Sequence, residues 1–146
     1  MNHTKIVNDA LNDLLVATFP GITVSMAVQD QEFKPEFKKG EFIEFWLIEQ
    51  PYVSGNSDGE DREFIYGINH YFNGYHFKRT DFEDLYMDRY ETLKKALMEN
   101  RSYYSGGSYI WHDAKIDSPQ FLSLSDEWSH VKYYNTEFSF VRFNQW

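Results

Sequence analysis

The last 22 residues, S-D-E-W-S-H-V-K-Y-Y-N-T-E-F-S-F-V-R-F-N-Q-W, constrain the fold more than any other stretch. Tyr134, Thr136, Phe138 and Phe140 fall on one face of an extended chain, and Asn135, Glu137, Ser139 and Val141 on the other. This alternation runs longer than an ordinary strand. Left as an open edge, such a strand would pair with any chain it met. It must therefore lie inside a sheet or be covered by another subunit, with Phe143 and Trp146 reaching outward.

The rest of the chain supplies that sheet and something to cover it. Residues 4–18 carry a helical stripe of Val7, Leu11, Leu14 and Leu15, with Ile6 and Ala10 beside it. Asp9, Asn12 and Asp13 mark the wet side, and Pro20-Gly21 stops the helix. A second helix is predicted over 80–99. Thr80 and Glu83 have the spacing of a capping box, and Phe82, Leu85, Tyr86, Arg89, Tyr90, Leu93 and Leu97 trace one face. Glu91 and Lys95 are spaced for an ion pair on the other side.

Strand patterns fill most of the remainder. In residues 22–28, Ile22, Val24, Met26 and Val28 alternate. Residues 29–40, with Pro35, read as a long polar loop of the kind that forms functional arms. Residues 41–49 are apolar on both faces, with Phe42, Trp46 and Ile48 on one and Ile43, Phe45 and Leu47 on the other, which predicts cover on both sides. A Gly-rich acidic connection leads to a strand over 63–73, closing a hairpin whose tip, Ser54 to Asp61, is expected to be weakly anchored. Further strands are expected in S-Y-I-W-H-D-A-K-I-D, in F-L-S-L-S and in the final segment. The coarse order is α-β-β-β-α-β-β. It predicts a single α+β domain over 1–146, with one antiparallel or mixed sheet and two helices packed on it.

Composition narrows the function. A net charge of -9 opposes direct nucleic-acid binding and docking on anionic lipid. It suits solubility or a basic partner. With no cysteine there is neither a disulfide framework nor a thiolate metal site. Aromatic residues make up 19% of the chain, which favours strands first and interfaces second.

No chemistry-bearing motif stands out. His3, His70, His76, His112 and His130 show no metal-ligand spacing, although His70 and His76 bracket a possible turn. The acidic stretch N-S-D-G-E-D-R-E does not fit a calcium loop. Glu83 and Asp84 are adjacent on a helix with nothing to set their pKa values apart. Neither catalysis nor a cofactor or metal is expected.

This order of parts resembles the tail terminator, or tail-completion, proteins of long-tailed bacteriophages. The resemblance rests on the opening helix 4–18 and the excursion from E-F-I-E-F-W-L-I-E to E-F-I-Y-G-I-N-H-Y-F. It also rests on the second helix 80–99 and the closing strand. The loop 29–40 and the F-L-S-L insertion depart from plainer members. The resemblance implies a structural virion protein, assembled in the host cytoplasm, that forms a homohexameric ring. That ring caps the tail tube at its head-proximal end and joins it to the head–tail connector. The alternative from charge alone is an acidic inhibitor or immunity protein that blocks a basic, nucleic-acid-binding surface. A third class is a small enzyme or binding domain with an aromatic pocket. The candidate interface residues are Trp46, Asp58, Glu60, Asp61, Phe143 and Trp146.

Overall fold

A computed structural model describes residues 1–27, 33–77, 81–125 and 129–146. The elements are α1 (His3–Thr18), β1 (Thr23–Met26), β2 (Glu41–Glu49), β3 (Tyr52–Gly55) and β4 (Gly59–Asn73). They continue with α2 (Phe82–Glu99), β5 (Tyr103–Ser105), β6 (Ser108–Ile116), β7 (Gln120–Ser123) and β8 (Val131–Gln145). The fold is α+β with two helices, as expected, but richer in strand. The order α-β-β-β-α-β-β is corrected to four strands on each side of α2: β3 and β5 lie in segments read as connections, and β7 is the short F-L-S-L-S strand that the coarse order left uncounted. Tyr52-Val53 and Tyr103-Tyr104 are good strand formers. Glycines two to three residues later made each pair look like part of a turn.

All eight strands form one sheet in the order β1-β2-β4-β8-β6-β5, with β3 flanking β4 and β7 flanking β8. Only β1 and β2 run parallel. The closing strand is thus central. β8 pairs with β4 without interruption from Gly59↔Gln145 to Asn73↔Val131. Its other side is taken by β7 and then β6. Between His112 and Lys115 the β6 register shifts, and Asp113 takes a left-handed φ of 54° at that bulge.

Both helices cover the same face. Val7, Ala10, Leu11 and Leu15 of α1 and Tyr86, Tyr90, Leu93 and Leu97 of α2 are buried. They meet Ile43, Phe45, Phe64, Tyr66, Ile68, Trp111, Phe138 and Phe140 from the strands. Much of this core is aromatic: Trp111 stacks on Phe140 with centroids 4.4 Å apart, and Phe140 stacks on Phe64 at 5.6 Å. Asn2 caps α1 by accepting from the Lys5 amide at 3.0 Å. The Thr80 cap of α2 lies outside the described residues, and Asp81 makes no capping bond of its own. The expected Glu91–Lys95 pair gives way to Lys95–Glu99 at 4.0 Å.

The opposite face is only partly covered. Phe33 and Phe37, from the described part of the predicted loop, pack on Phe42 and Tyr71 at one end of the sheet. Trp46 lies half-buried over Gly67, and a Cβ at Gly67 would sit 2.4 Å from its Cζ2, so only glycine admits the indole there. Ile48 is 45% exposed, which corrects the expectation that β2 is covered on both sides along its length. Met26 is also exposed, because β1 is an edge strand; Val28, its predicted companion, lies outside the described residues.

Candidate interaction surface

The hairpin of β3 and β4 forms one end of the molecule together with the end of β8. Its turn is held by local bonds. The Asn56 amide donates to the Gly59 carbonyl at 2.9 Å, and Asn56 Oδ1 accepts from the Asp58 and Gly59 amides at 2.8 and 3.3 Å. Ser54 Oγ donates to Asp61 Oδ2 at 3.0 Å. The Trp146 amide reaches the Asp58 carbonyl at 3.0 Å, and its indole N–H lies 3.4 Å from the Asn56 carbonyl. Gly59 packs so closely on β8 that a Cβ would meet the Asn144 carbonyl at 2.4 Å. The expected weakly anchored tip, Ser54 to Asp61, is therefore corrected: it is a β-hairpin laced to β8.

Five of the six candidate interface residues collect at this end. Asp61 and Phe143 are cross-strand partners on the face away from the helices. Asp58 is in the turn, and Trp146 stands 74% exposed beside it. Glu60 points to the helix face, where Arg62 donates to it from Nε at 2.8 Å and Nη2 at 3.3 Å. The Glu60 carboxylate is thus already neutralised. Trp46 stands apart. It faces Gly67, six residues along β4 from Asp61, or about 20 Å at the usual strand rise.

Two buried polar groups brace this frame. Arg142 is 5% exposed and has no carboxylate partner among the described residues. It donates to the Ile110 and Tyr109 carbonyls at 2.7 and 3.3 Å, and to His3 Nδ1 at 3.1–3.3 Å. A guanidinium only donates, so His3 Nδ1 accepts and Nε2–H donates to the Gln145 carbonyl at 2.9 Å. The start of α1 is tied in this way to the end of β8. Burial lowers the Arg142 pKa, with the nearby Tyr109 acting weakly the other way.

The second group is at the opposite end. His70 is fully buried on β4, stacked on Phe72 at 4.5 Å. Its Nε2 lies 3.0 Å from Glu41 Oε1, and its Nδ1 lies 3.0 Å from the Tyr134 hydroxyl. Arg89 of α2 grips the same carboxylate at 2.6 and 3.3 Å. Burial alone would raise the Glu41 pKa, but hydrogen bonds from His70 and Arg89 outweigh it and hold it low. Burial lowers the His70 pKa against the pull of Glu41. An ionised Glu41 fixes the tautomer: Nε2 carries the proton and Nδ1 accepts from Tyr134. Glu41, His70 and Tyr134 are buried and Arg89 closes the group from a half-buried position, which gives the geometry of a structural clasp. His76, expected across a turn from His70, is exposed beside Gly40 and does not approach it. Among the described residues no three His, Asp or Glu side chains cluster as metal ligands.

Reasoning from sequence missed the exposed apolar residues along the sheet edges: Tyr52 and Val53 of β3, Tyr104 of β5, and Phe121 and Leu122 of β7. The signal lay in aromatic and branched residues beside turn sequences. It also missed the clasp, whose only trace was a histidine on the apolar face of a strand, between Ile68 and Phe72. One cleft of about 370 Å³ is lined by Glu83, Tyr86, Met87 and Phe121, with Tyr86 stacked on Phe121 at 5.4 Å. No described helix is long and apolar enough to cross a membrane.

No protein-family model matches this chain, and no curated protein does. Among solved structures, one that bears only a sequence label for a name is 15% identical. It covers 98% of this chain and 96% of its own, with a TM-score of 0.51. A second, from the virion of a native gene transfer agent particle, is 11% identical over 97% of this chain and 92% of its own, with a TM-score of 0.39. The first likeness is one of fold alone. The second is a weak likeness to a component of a virus-like particle, too slight to carry an argument about function.

Proposed function

We infer that this chain is a non-catalytic structural subunit that works by assembling with copies of itself, in the manner of a tail terminator ring. The observation that carries this reading is where the exposed apolar residues lie. Met26, Tyr52, Val53, Tyr104, Phe121, Leu122 and Trp146 sit on sheet-edge strands or at the hairpin end, where Tyr52, Val53 and Trp146 are at least half exposed, while Val16, Ile48, Tyr75 and Met87 are exposed elsewhere. The edge strands β1, β3, β5 and β7 carry no charged residue within their bounds, although each is only three or four residues long and Pro51 and Pro119 directly precede β3 and β7. In the full proposal the ring caps a tail tube, contacts the tail tube protein and the head–tail connector, and resides in a virion.

The acidic-inhibitor reading has one observation in its favour. The uncovered sheet face carries Glu44, Asp61, Glu63 and Glu137 against Lys115. Such a face suits a basic partner.

Native mass measured across concentrations, with and without a candidate tail tube protein, separates the two. Assembly predicts a discrete oligomer, seen as rings by electron microscopy and captured by the tube protein. A strict monomer that binds a basic protein one-to-one would replace this reading with inhibition.

A further inference from the structure

The two edges of the sheet are stepped, and the steps are complementary. At the level of Tyr71 the strands run β1-β2-β4-β8-β7. At the level of Arg62 they run β3-β4-β8-β6-β5. Each level is five strands wide, but the lower one is displaced by one strand. β1 therefore projects on one edge above the recessed β3, and β5 projects on the other edge below the recessed β7. We propose that copies of this chain join edge to edge, with β1 of one copy seated against β7 of the next and β3 against β5.

Strand directions permit this pairing. β1 runs parallel to β8, whereas β7 runs opposite to it, so the upper pair is antiparallel. β3 and β5 both run with β8, so the lower pair is parallel. The spacing of copies would be five strands, or about 24 Å in the sheet direction. The two contacts use different surfaces of each copy. They are therefore heterologous and generate a ring when the rotation closes.

Two observations identify the occupant as a second copy. The step on one edge is the complement of the step on the other. All four edge strands carry an exposed large apolar residue: Met26, Val53, Tyr104 and Leu122 are 42–62% exposed. The inference rests on the assembly reading only in taking this chain as its own partner.

The absence of native cysteine makes the test direct. Val53→Cys and Tyr104→Cys lie on opposite edges of one molecule, too far apart to bridge internally. Met26→Cys and Leu122→Cys form the upper pair. Mild oxidation of Val53→Cys mixed with Tyr104→Cys should give a mixed covalent dimer as the main product. The double variant should give a ladder that ends at the native subunit number. Met26→Cys with Leu122→Cys should do the same. The mismatched combination of Val53→Cys with Leu122→Cys should not, and every variant should keep the wild-type Tm. Equal yields from matched and mismatched pairs, or no ladder from a protein that is still oligomeric, would overturn the edge pairing and leave the assembly reading standing. A monomer at every concentration would overturn both.

Discussion

His70 shows what one residue does in this fold. Buried, neutral and bonded to Glu41 and Tyr134, it stays unprotonated where the unfolded chain would take a proton. Its folded pKa is depressed, so its contribution is complete above about pH 6.5, the unfolded value, and is lost as pH falls below it. Glu41 is also depressed, and its contribution is lost as pH falls from about 4.5 toward the lower folded value. The two act in the same direction. The Tm should fall steadily from pH 7 to pH 4, and Glu41→Gln should remove the acidic part of that slope. Breaking this buried ion pair should cost about 3 kcal/mol, read from denaturant unfolding at pH 7. Leu93 is a simpler case. It is 1% exposed between α2 and the sheet, and Leu93→Ala should cost about 2–5 kcal/mol. A variant with the wild-type midpoint would contradict the observed packing of α2.

Among the elements, β8 decides most. Ending the chain after Phe138 removes Phe140 from the core and Arg142 from the carbonyls of β6, and should abolish the cooperative transition. Removing only Asn144, Gln145 and Trp146 should leave a folded protein with a lower Tm, because the His3–Gln145 and Trp146–Asp58 bonds are lost. From sequence these three residues look dispensable, since they lie past the clean alternation; their bonds to α1 and the hairpin turn give them a modest structural role. Gly59→Ala tests the same lacing from the other side. The added methyl would press on the Asn144 carbonyl, and about 1–3 kcal/mol of destabilisation is expected. Amide exchange at Asn56 and Trp146 should quicken in that variant, while exchange in the core of β4 should not.

For the whole molecule, the stepped sheet sets the behaviour. If copies join along their edges, the apparent Tm should rise with protein concentration, since association stabilises the folded form. Val53→Lys should abolish that dependence and the oligomer while leaving the Tm of the dilute protein unchanged. The residue is 50% exposed, and a charge on an edge strand opposes pairing. The same substitution should not affect capture of a basic protein by the acidic face.

The helices, their buried stripes and the long closing strand were legible in the sequence because each is written in local periodicity, 3.6 for Val7–Leu11–Leu15 and 2 for Tyr134–Phe140. The candidate residues Asp58, Asp61, Phe143 and Trp146 were legible only as types: acids in a loop and aromatics near an end. Their meeting at one tip depends on fifteen consecutive pairings of β4 with β8, a register that joins residues 58–86 positions apart. Tertiary structure alone decided which strand is central, because a strand shows its faces in its own sequence but never its neighbours. It alone turned Glu60 toward Arg62 and away from a partner. It alone made His70, Glu41, Tyr134 and Arg89 a clasp, since burial and partnership belong to the folded arrangement and leave no period along the chain.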